Sequence, residues 1–284
     1  MKKQYFLLPV ILVLLLSSCS LRRFMYAPTL PQDPMLNKKG ASDVRALFSG
    51  GRFDKPDSNY DVGFDVQAAY AAGRHLAFTA AWTYRDQVSN NNDKGPLRVP
   101  SLLQHYHSTA DVGLGYFTAL PHHPNSFFNL YGGYGFGFTR MSEHGQGNAG
   151  AYYLHYAASI RKFYVQPGVH FNDPYRSLQT ALSLRLSAVR YHDIQSDYTP
   201  AQESAYEMAS LRNTTFLFAE PSITVRLHGR RLPWLSMEIQ LSGNLKINAA
   251  PLYYRFFYLS NGVSVDLSRL KEKGVRRNRR RTGY

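Results

Sequence analysis

Histidine and serine, the residue types of many hydrolytic sites, come together at one place in this chain. His105 and His107 are followed directly by Ser108. A histidine that takes the proton of a serine hydroxyl activates it as a nucleophile, which is the chemistry of hydrolases and acyltransferases. The surrounding residues alternate as in a β-strand, in which neighbouring side chains point to opposite faces. Both histidines are therefore expected to point away from Ser108, and the spacing predicts no catalytic site.

Metal and phosphate chemistry are also poorly supported by the sequence. His105 with His107, or His122 with His123, could hold a metal ion, but neither pair has third and fourth ligands at a suitable spacing. The glycines between Gly132 and Gly137 lie within a strand pattern and lack the strand-to-helix turn of a phosphate loop. They are better explained by a crowded interior. No metal and no cofactor is predicted.

Apolar and polar side chains alternate repeatedly between residues 42 and 267, which is typical of β-strands. In the segment 60–71, Val62 and Phe64 alternate with Asp61 and Asp65. The same pattern recurs at 75–86, 105–117, 128–139, 178–188, 217–227 and 235–244. Less regular strands are predicted at 43–50, 163–171 and 254–267, and 151–160 fits either a strand or a loop. The total is about ten strands, with eight as the alternative.

The polar faces of these strands favour a closed barrel over a soluble sandwich. They carry mainly Gly, Ser, Asp, Arg and Glu, which suit a narrow lumen better than a solvated face. The chain also has 21 Tyr and 17 Phe, many of them near strand ends, as in the aromatic girdles of membrane proteins. The sequence therefore predicts an all-β fold, an antiparallel up-and-down transmembrane β-barrel with its apolar faces toward lipid.

Connection lengths support the same fold, because outer-membrane barrels alternate short periplasmic turns with long external loops. Short connections are predicted at 72–74, 120–125, 172–176 and 228–233, and long ones at 51–59, 87–103, 141–150, 193–212 and, more briefly, 247–253. This alternation predicts that both chain ends are periplasmic. The loop 193–212, rich in Ser, Gln, Glu and Tyr, is the candidate recognition surface.

Charged residues on the inward faces should pair, because isolated ions in a narrow interior are costly. The predicted lumen charges are Asp61, Asp65, Arg85, Asp111, Arg185, Glu220, Arg226, Glu238 and Asp266, with Arg45 and Arg255 as further candidates. Their signs nearly balance. The sequence thus predicts a polar plug, a salt-bridge network that closes the barrel to ions.

The N-terminus predicts export and lipid attachment. Lys2 and Lys3 precede an apolar run that is too short to span a bilayer and that ends in Leu-Ser-Ser-Cys at Cys19. This tetrapeptide resembles the lipobox of bacterial lipoproteins, in which the cysteine receives a diacylglycerol before cleavage. Cys19 is the only cysteine, so it cannot form an intramolecular disulfide but can carry lipid. Cleavage elsewhere, with Cys19 unmodified, is the alternative.

The C-terminal segment 269–284 carries eight Lys or Arg against one Glu and contributes much of the net charge of +14. Such a block is typical of a solvated tail. An exported protein meets little nucleic acid, so anionic lipid headgroups or cell-wall polymers are the expected counter-charges.

Several short motifs together resemble lipid-anchored outer-membrane β-barrel proteins of Bacteroidota, most of which have no defined function. The motifs are Tyr26-Ala27-Pro28 after the lipobox, the segment 65–71, the glycine- and tyrosine-rich segment 131–137, and Gln166-Pro167-Gly168-Val169. The resemblance spans most of the mature chain. The basic extension departs from the barrels that end on an aromatic residue read by the insertion machinery, because Tyr284 lies beyond any predicted strand.

The predicted organisation is a signal peptide at 1–18, a lipidated linker at 19–41, a barrel at 42–268 and a basic tail at 269–284. The function expected from it is a non-enzymatic outer-membrane lipoprotein with a closed polar interior and a structural or interaction role through its external loops, with outer-membrane lipids as its surroundings. The alternatives are a lipid-modifying enzyme or small-ligand transporter, and a soluble lipid-tethered β-sandwich or lipocalin-like binding module.

Overall fold

A computed structural model of the protein describes residues 25–51, 60–91, 101–147, 150–173, 177–229 and 232–270. The predicted signal peptide, Cys19 and residues 271–284 of the tail lie outside the described residues. Among the described residues, no helix has the length and apolar character needed to cross a membrane.

Eleven strands account for most of the described chain. They are β1 (Ser42–Gly51), β2 (Tyr60–Ala71), β3 (Leu76–Asn91), β4 (Ser101–Leu120), β5 (His123–Gly147), β6 (Gly150–Asp173), β7 (Leu178–Ser196), β8 (Thr215–His228), β9 (Leu235–Gly243), β10 (Leu245–Lys246) and β11 (Phe257–Asp266). A short helix, α1 (Pro200–Ala205), and a 3-10 helix, η1 (Ala209–Arg212), lie between β7 and β8.

The strands close into one barrel. Each strand from β1 to β9 pairs with its neighbours in sequence, β9 pairs with β11, and β11 returns to β1, all antiparallel. The two-residue β10 follows β9 and pairs only with β8, so the wall has ten strands. The predicted ten-stranded antiparallel barrel is confirmed, and the eight-stranded and sandwich alternatives are wrong.

Apolar side chains point outward and polar ones inward, as the alternation predicts. Phe78 and Trp82 on β3 are 47 % and 44 % exposed, whereas Thr83, the residue directly after Trp82, is fully buried. The pattern continues on β4, where Leu114 is 55 % exposed and Asp111 is fully buried. An apolar outer face around a polar interior is the arrangement that a lipid environment requires.

The predicted loop 141–150 is wrong for most of its length, because β5 and β6 continue as a paired hairpin to Gly147 and Gly150. The outward residues there are polar, for example Ser142 and His144. The apolar alternation therefore stops while the hydrogen-bonded ladder goes on. We call this end of the barrel, where the longer connections lie, the long-loop end, and the opposite end the short-turn end.

Residues 25–36, which we call the lumen segment, run inside the barrel, and every one of them is buried. At the long-loop end, the amide of Met25 donates to the carbonyl of Tyr253, and Tyr26 forms a bridge with Tyr254. At the short-turn end, the amide of Gly40 donates to the carbonyl of Ala71, just before β1 begins. The predicted linker therefore crosses the whole lumen.

The prediction that both chain ends lie at the short-turn, periplasmic end falls on residues outside the described part of the chain. The described chain starts with Met25 at the long-loop end, whereas β11 ends with Asp266 at the short-turn end. The prediction assumed that the residues before β1 stay on the side where β1 begins. Burial of the lumen segment carries them to the other side.

Candidate functional site

The backbone of the lumen segment is held by side chains from four different strands. Three prolines at positions 28, 31 and 34 fix extended backbone angles and remove amide donors, so the carbonyls dominate its hydrogen bonding. Successive carbonyls accept from the barrel wall: Thr29 from Arg185 at 3.4 Å, Leu30 from Gln67 at 3.2 Å, Pro31 from Gln240 at 2.8 Å and Gln32 from Gln166 at 2.5 Å. These bonds fix the segment against β7, β2, β9 and β6.

Thr29 ties the lumen segment to a charged cluster on the wall. Its hydroxyl donates to Asp111 Oδ2 at 2.7 Å and accepts from Lys162 Nζ at 2.5 Å and Arg185 Nη1 at 3.0 Å. Hydrogen bonds to ionised groups are stronger than those between neutral groups. A single hydroxyl thereby joins β4, β6 and β7 to the segment.

Asp33 forms a second polar attachment lower in the lumen. Its carboxylate accepts from Ser222 at 3.1 Å, Thr224 at 2.7 Å and Gln166 at 3.2 Å. The residue is 3 % exposed, so these donors replace most of its water. The segment is therefore anchored at two points by directional bonds.

Most of the predicted lumen charges lie inside the barrel in ion pairs. The pairs are Arg85–Asp65 at 2.6 Å, Arg45–Glu238 at 2.7 Å, Arg226–Glu238 at 2.7 Å, Arg226–Asp43 at 2.7 Å, Lys162–Asp111 at 2.6 Å, Arg185–Asp111 at 3.5 Å and Arg255–Asp61. They connect neighbouring strands and also reach across the lumen, as from Arg226 on β8 to Asp43 on β1. They share the interior with the lumen segment.

Two predicted charges are placed differently. Glu220 is fully buried opposite Arg185 in the β7–β8 register, yet it makes no ion pair within 4.0 Å with any described residue. Asp266 is at the short-turn mouth, where it pairs with Arg269 at 3.2 Å and both side chains are partly exposed. Asp266 therefore belongs to the rim, since it ends β11 where the lumen opens.

The glycines of β5 make room for these charges. A Cβ at Gly135 would collide with Asp111, and one at Gly133 would collide with the backbone of Val112 and the ring of Tyr164. The crowded interior that the glycine pattern predicts is found at these positions. Glycine is needed here for space, not for a phosphate.

A hydrophobic cap closes the lumen at the long-loop end. Tyr198, Tyr206, Met208 and Leu211, from the connection between β7 and β8, are all buried. They join a larger cluster with Met25, Tyr26, Leu103, Met141, Tyr156, Ile160, Val189, Tyr191, Phe216, Phe218 and Leu252. The predicted recognition loop 193–212 therefore turns its large apolar side chains inward, and its exposed residues are mostly small or polar.

One carboxylate fixes the cap to the wall. Glu143 on β5 is fully buried and accepts from Ser101 at 2.6 Å, from Tyr198 at 3.1 Å and from Tyr206 at 3.1 Å. Thr199 begins α1 with a capping box, in which its hydroxyl accepts from the amide of Gln202. The connection between β7 and β8, which we call the lid, is thus folded and has a defined position.

The residues considered for catalysis are separated as the alternation predicts. His105 and His107 are buried in the interior, and His105 Nε2 lies 2.5 Å from the hydroxyl of Thr139. Ser108 faces outward, where it accepts a hydrogen bond from Trp82 Nε1 at 3.1 Å. His122 and His123 lie in and beside the exposed β4–β5 turn. Among the described residues, no group of three or more His, Cys, Asp or Glu could hold a metal ion.

Sequence reasoning missed Thr29, Asp33, Gln166 and Glu143. The lumen segment was expected to be a linker, and its many prolines are compatible with either role. The available signal was a polar, proline-spaced stretch next to a barrel whose inward faces carry amides such as Gln67. Glu143 fell in a predicted loop, where its inward direction was not evident.

Comparisons with known proteins find fold relatives only. No protein-family model and no curated protein matches the chain. The translocator domain of the autotransporter NalP from Neisseria meningitidis is similar in structure at 11 % identity and a TM-score of 0.45, over 81 % of this chain and 89 % of that one. An outer-membrane channel from Pseudomonas putida F1 has 10 % identity and a TM-score of 0.39, over 84 % and 99 %.

Outer membrane phospholipase A from Escherichia coli is also similar, at 9 % identity and a TM-score of 0.30, over 80 % of this chain and 92 % of that one. These proteins differ in role, and at such identities the likeness concerns the fold alone. The closed antiparallel strand order and the outward apolar side chains give the chain, independently of these comparisons, the fold of a transmembrane β-barrel.

Proposed function

We propose that this protein is a closed outer-membrane lipoprotein barrel, sealed by its own N-terminal segment, with a structural or interaction role at its external end. The observation that carries the proposal is the complete burial of residues 25–36 within the lumen. A pore would need a continuous wet path along the axis. Here that axis is taken by backbone that donors from four strands hold in place. The proposal includes no catalytic activity.

The lipid anchor is part of this proposal. The path of the chain determines which leaflet of the membrane the lipid would enter. Cys19 precedes Met25 by six residues, which can span at most about 22 Å when fully extended. That is less than the roughly 30 Å hydrocarbon core. Because Met25 is at the long-loop end, which faces outward in such barrels, a lipid on Cys19 is expected in the outer leaflet.

The two ends of the barrel would then have different surroundings. At the long-loop end, the exposed side chains of the lid include Asp197, Ser204 and Arg212, which form a polar surface for an external partner. At the short-turn end, Lys39 and Arg74 are exposed beside the start of the basic tail. Anionic lipid headgroups or cell-wall polymers in the periplasm are the proposed counter-charges there.

Ion conductance tests the closed lumen. The full-length protein, folded into a planar bilayer, is expected to show no stable open channel. A variant that lacks residues 25–36 is expected to conduct, because the barrel wall remains while its occupant is gone. Heat-modifiable gel migration checks that the deletion variant is folded. A wild-type channel of porin size contradicts the proposal whether or not the deletion variant folds.

Labelling of intact cells tests the orientation. Ser204→Cys places a thiol on the lid, and Arg74→Cys places one in the β2–β3 turn at the other end; both positions are exposed. A membrane-impermeant maleimide is expected to label the first variant on intact cells and the second only after the outer membrane is opened. The reverse pattern contradicts an external long-loop end.

A further inference from the structure

Three adjacent strands carry an arginine where the outward apolar band ends toward the long-loop end. On β5 the last apolar residue of the band is Phe138, on β6 it is Phe163 and on β7 it is Ala188. The next outward residues are Arg140, Arg161 and Arg190, all exposed. This sector of the barrel therefore meets the polar edge of the membrane with guanidinium groups.

Two of these arginines face each other directly. Arg161 and Arg190 are register partners in the β6–β7 ladder, where opposite Cβ atoms are about 5 Å apart. The next outward pair is Ser159 with His192, again register partners. The guanidinium of Arg140 is 5.0 Å from the ring centre of Phe138, whose partner on β6 is Ser159. Three arginines, a hydroxyl and an imidazole thus share one outward patch.

The three arginines of this patch have no carboxylate partner among the described residues. Among the described residues, no carboxylate is within 4.0 Å of Arg140, Arg161 or Arg190. The nearby Asp193 pairs instead with His192, at 3.5 Å. Like charges directly opposite each other in a sheet are destabilising, so an anion bound from outside the chain would stabilise this arrangement.

The neighbouring strands show that such a basic edge is not a general feature. Toward the long-loop end, the outward residues of β2, β3 and β4 include Tyr60, Tyr84 and Tyr106, together with Asp86, and Tyr106 is the register partner of Arg140. Tyrosine suits any lipid interface, because its ring is apolar and its hydroxyl is wet. The arginines of β5 to β7 therefore distinguish this sector from the neighbouring strands.

We propose that the patch of Arg140, Ser159, Arg161, Arg190 and His192 binds the phosphate group of a lipid headgroup. Guanidinium groups bind phosphate oxygens in bidentate fashion, and the hydroxyl and imidazole add donors beside them. The apolar band below, with Phe136, Phe138 and Phe163 exposed, supplies a surface for the acyl chains. The inference rests on the proposed function only in placing the long-loop end at a lipid leaflet.

Lipid binding by the folded full-length protein tests the site. The probe is lipid A, a phosphorylated glycolipid, titrated into the protein in neutral detergent, and native mass spectrometry gives the bound fraction. The double variant R161Q/R190Q is expected to bind at least roughly tenfold more weakly. The matched control K39Q/R74Q also removes two positive charges, but at the short-turn end, and is expected to bind as the wild type does. Equal weakening in both variants contradicts a specific site.

Two further arms separate the source of the phosphate. Lipid A without its phosphates is expected to lose the difference between wild type and R161Q/R190Q. Inorganic phosphate is expected to compete only weakly; if it displaces lipid A at a similar concentration, the site is a free-phosphate site and the proposal is wrong. Failure here leaves the closed lumen untouched, because conductance tests that separately and does not involve these arginines.

Thermal unfolding tests the site without a measurement of the bound lipid fraction. Without phosphorylated lipid, R161Q/R190Q is expected to unfold at the same temperature as the wild type or higher, because the like-charge contact is gone. With lipid A, the order is expected to reverse. A wild type that is the more stable protein under both conditions assigns a purely structural role to these arginines and overturns the proposal.

Discussion

The middle of the lumen and the cap at the long-loop end both exclude water, but they do so with different forces. The lumen segment is held by bonds of fixed direction, such as those from Thr29 to Asp111 and from Gln240 to the carbonyl of Pro31. The cap is held mainly by contacts among Tyr206, Leu211 and their neighbours, which depend on area more than direction. We therefore expect the loss of a single polar atom to destabilise the lumen. The cap is expected to lose stability in proportion to the side-chain volume that is removed.

The largest effect is expected from breaking one buried ion pair in the lumen. Asp65→Ala leaves Arg85 buried without its carboxylate, and it is expected to cost about 4 kcal/mol of unfolding free energy. Guanidinium unfolding, followed by the fluorescence of Trp82 and Trp234, measures it. The double variant Asp65→Ala with Arg85→Met is expected to cost less than the single one. A double variant that loses the sum of both single effects contradicts the role given to the pair.

A somewhat smaller loss is expected in the cap. Leu211→Ala removes a fully buried side chain and is expected to cost about 3 kcal/mol through lost burial and the cavity left behind. Leu232→Ala, at a position that is 41 % exposed in the β8–β9 turn, serves as the control and should change stability by less than about 1 kcal/mol. Equal losses at both positions would show that the cap is not a packed core.

Thr29→Val tests the directional bonds of the lumen segment without changing side-chain shape. It removes the hydroxyl that joins Asp111, Lys162 and Arg185, and it is expected to cost about 2 kcal/mol. The same exchange at the exposed Thr215 should be nearly neutral. Denaturant midpoints of the two variants provide the measurement. An effect at position 29 no larger than that at 215 would mean that the segment is held by its backbone alone.

The smallest effect is expected for Tyr206→Phe. The variant keeps the ring in the cap and loses one of the hydroxyls that Glu143 accepts from, which is expected to cost about 1 kcal/mol. Protease cleavage in the connection between β7 and β8 should become faster by roughly fivefold if opening is local. Tyr153→Phe, at a site that is 55 % exposed on β6, is the control and should leave the cleavage rate unchanged.

The regular strands were predictable because lipid on one side and a polar lumen on the other impose period two. β2 has the bounds 60–71 that the alternation predicts, since every residue in it has one of these two environments. Beyond the lipid the outward residues become polar, so the apolar alternation stops before the strands end. For this reason the ends of β5 and β6 fall within the predicted loop 141–150.

The partners inside the lumen were less predictable than its composition. Alternation places Arg85, Asp111 and Arg226 inward, but only the register decides which carboxylate each one meets. The lumen segment has no alternation, and its main hydrogen-bonding groups are carbonyls that every residue has. The paired arginines at 161 and 190 became visible only when β6 and β7 were aligned.

The position of the lumen segment inside the barrel also has a consequence for assembly. The last seam of the wall joins β1 to β11, the first and last strands in sequence, and β1 follows directly on the threaded residues. A finished cylinder packed with side chains offers no entrance for a chain. The wall must therefore close around a strand of peptide already laid along its axis, so that closure and sealing are one event.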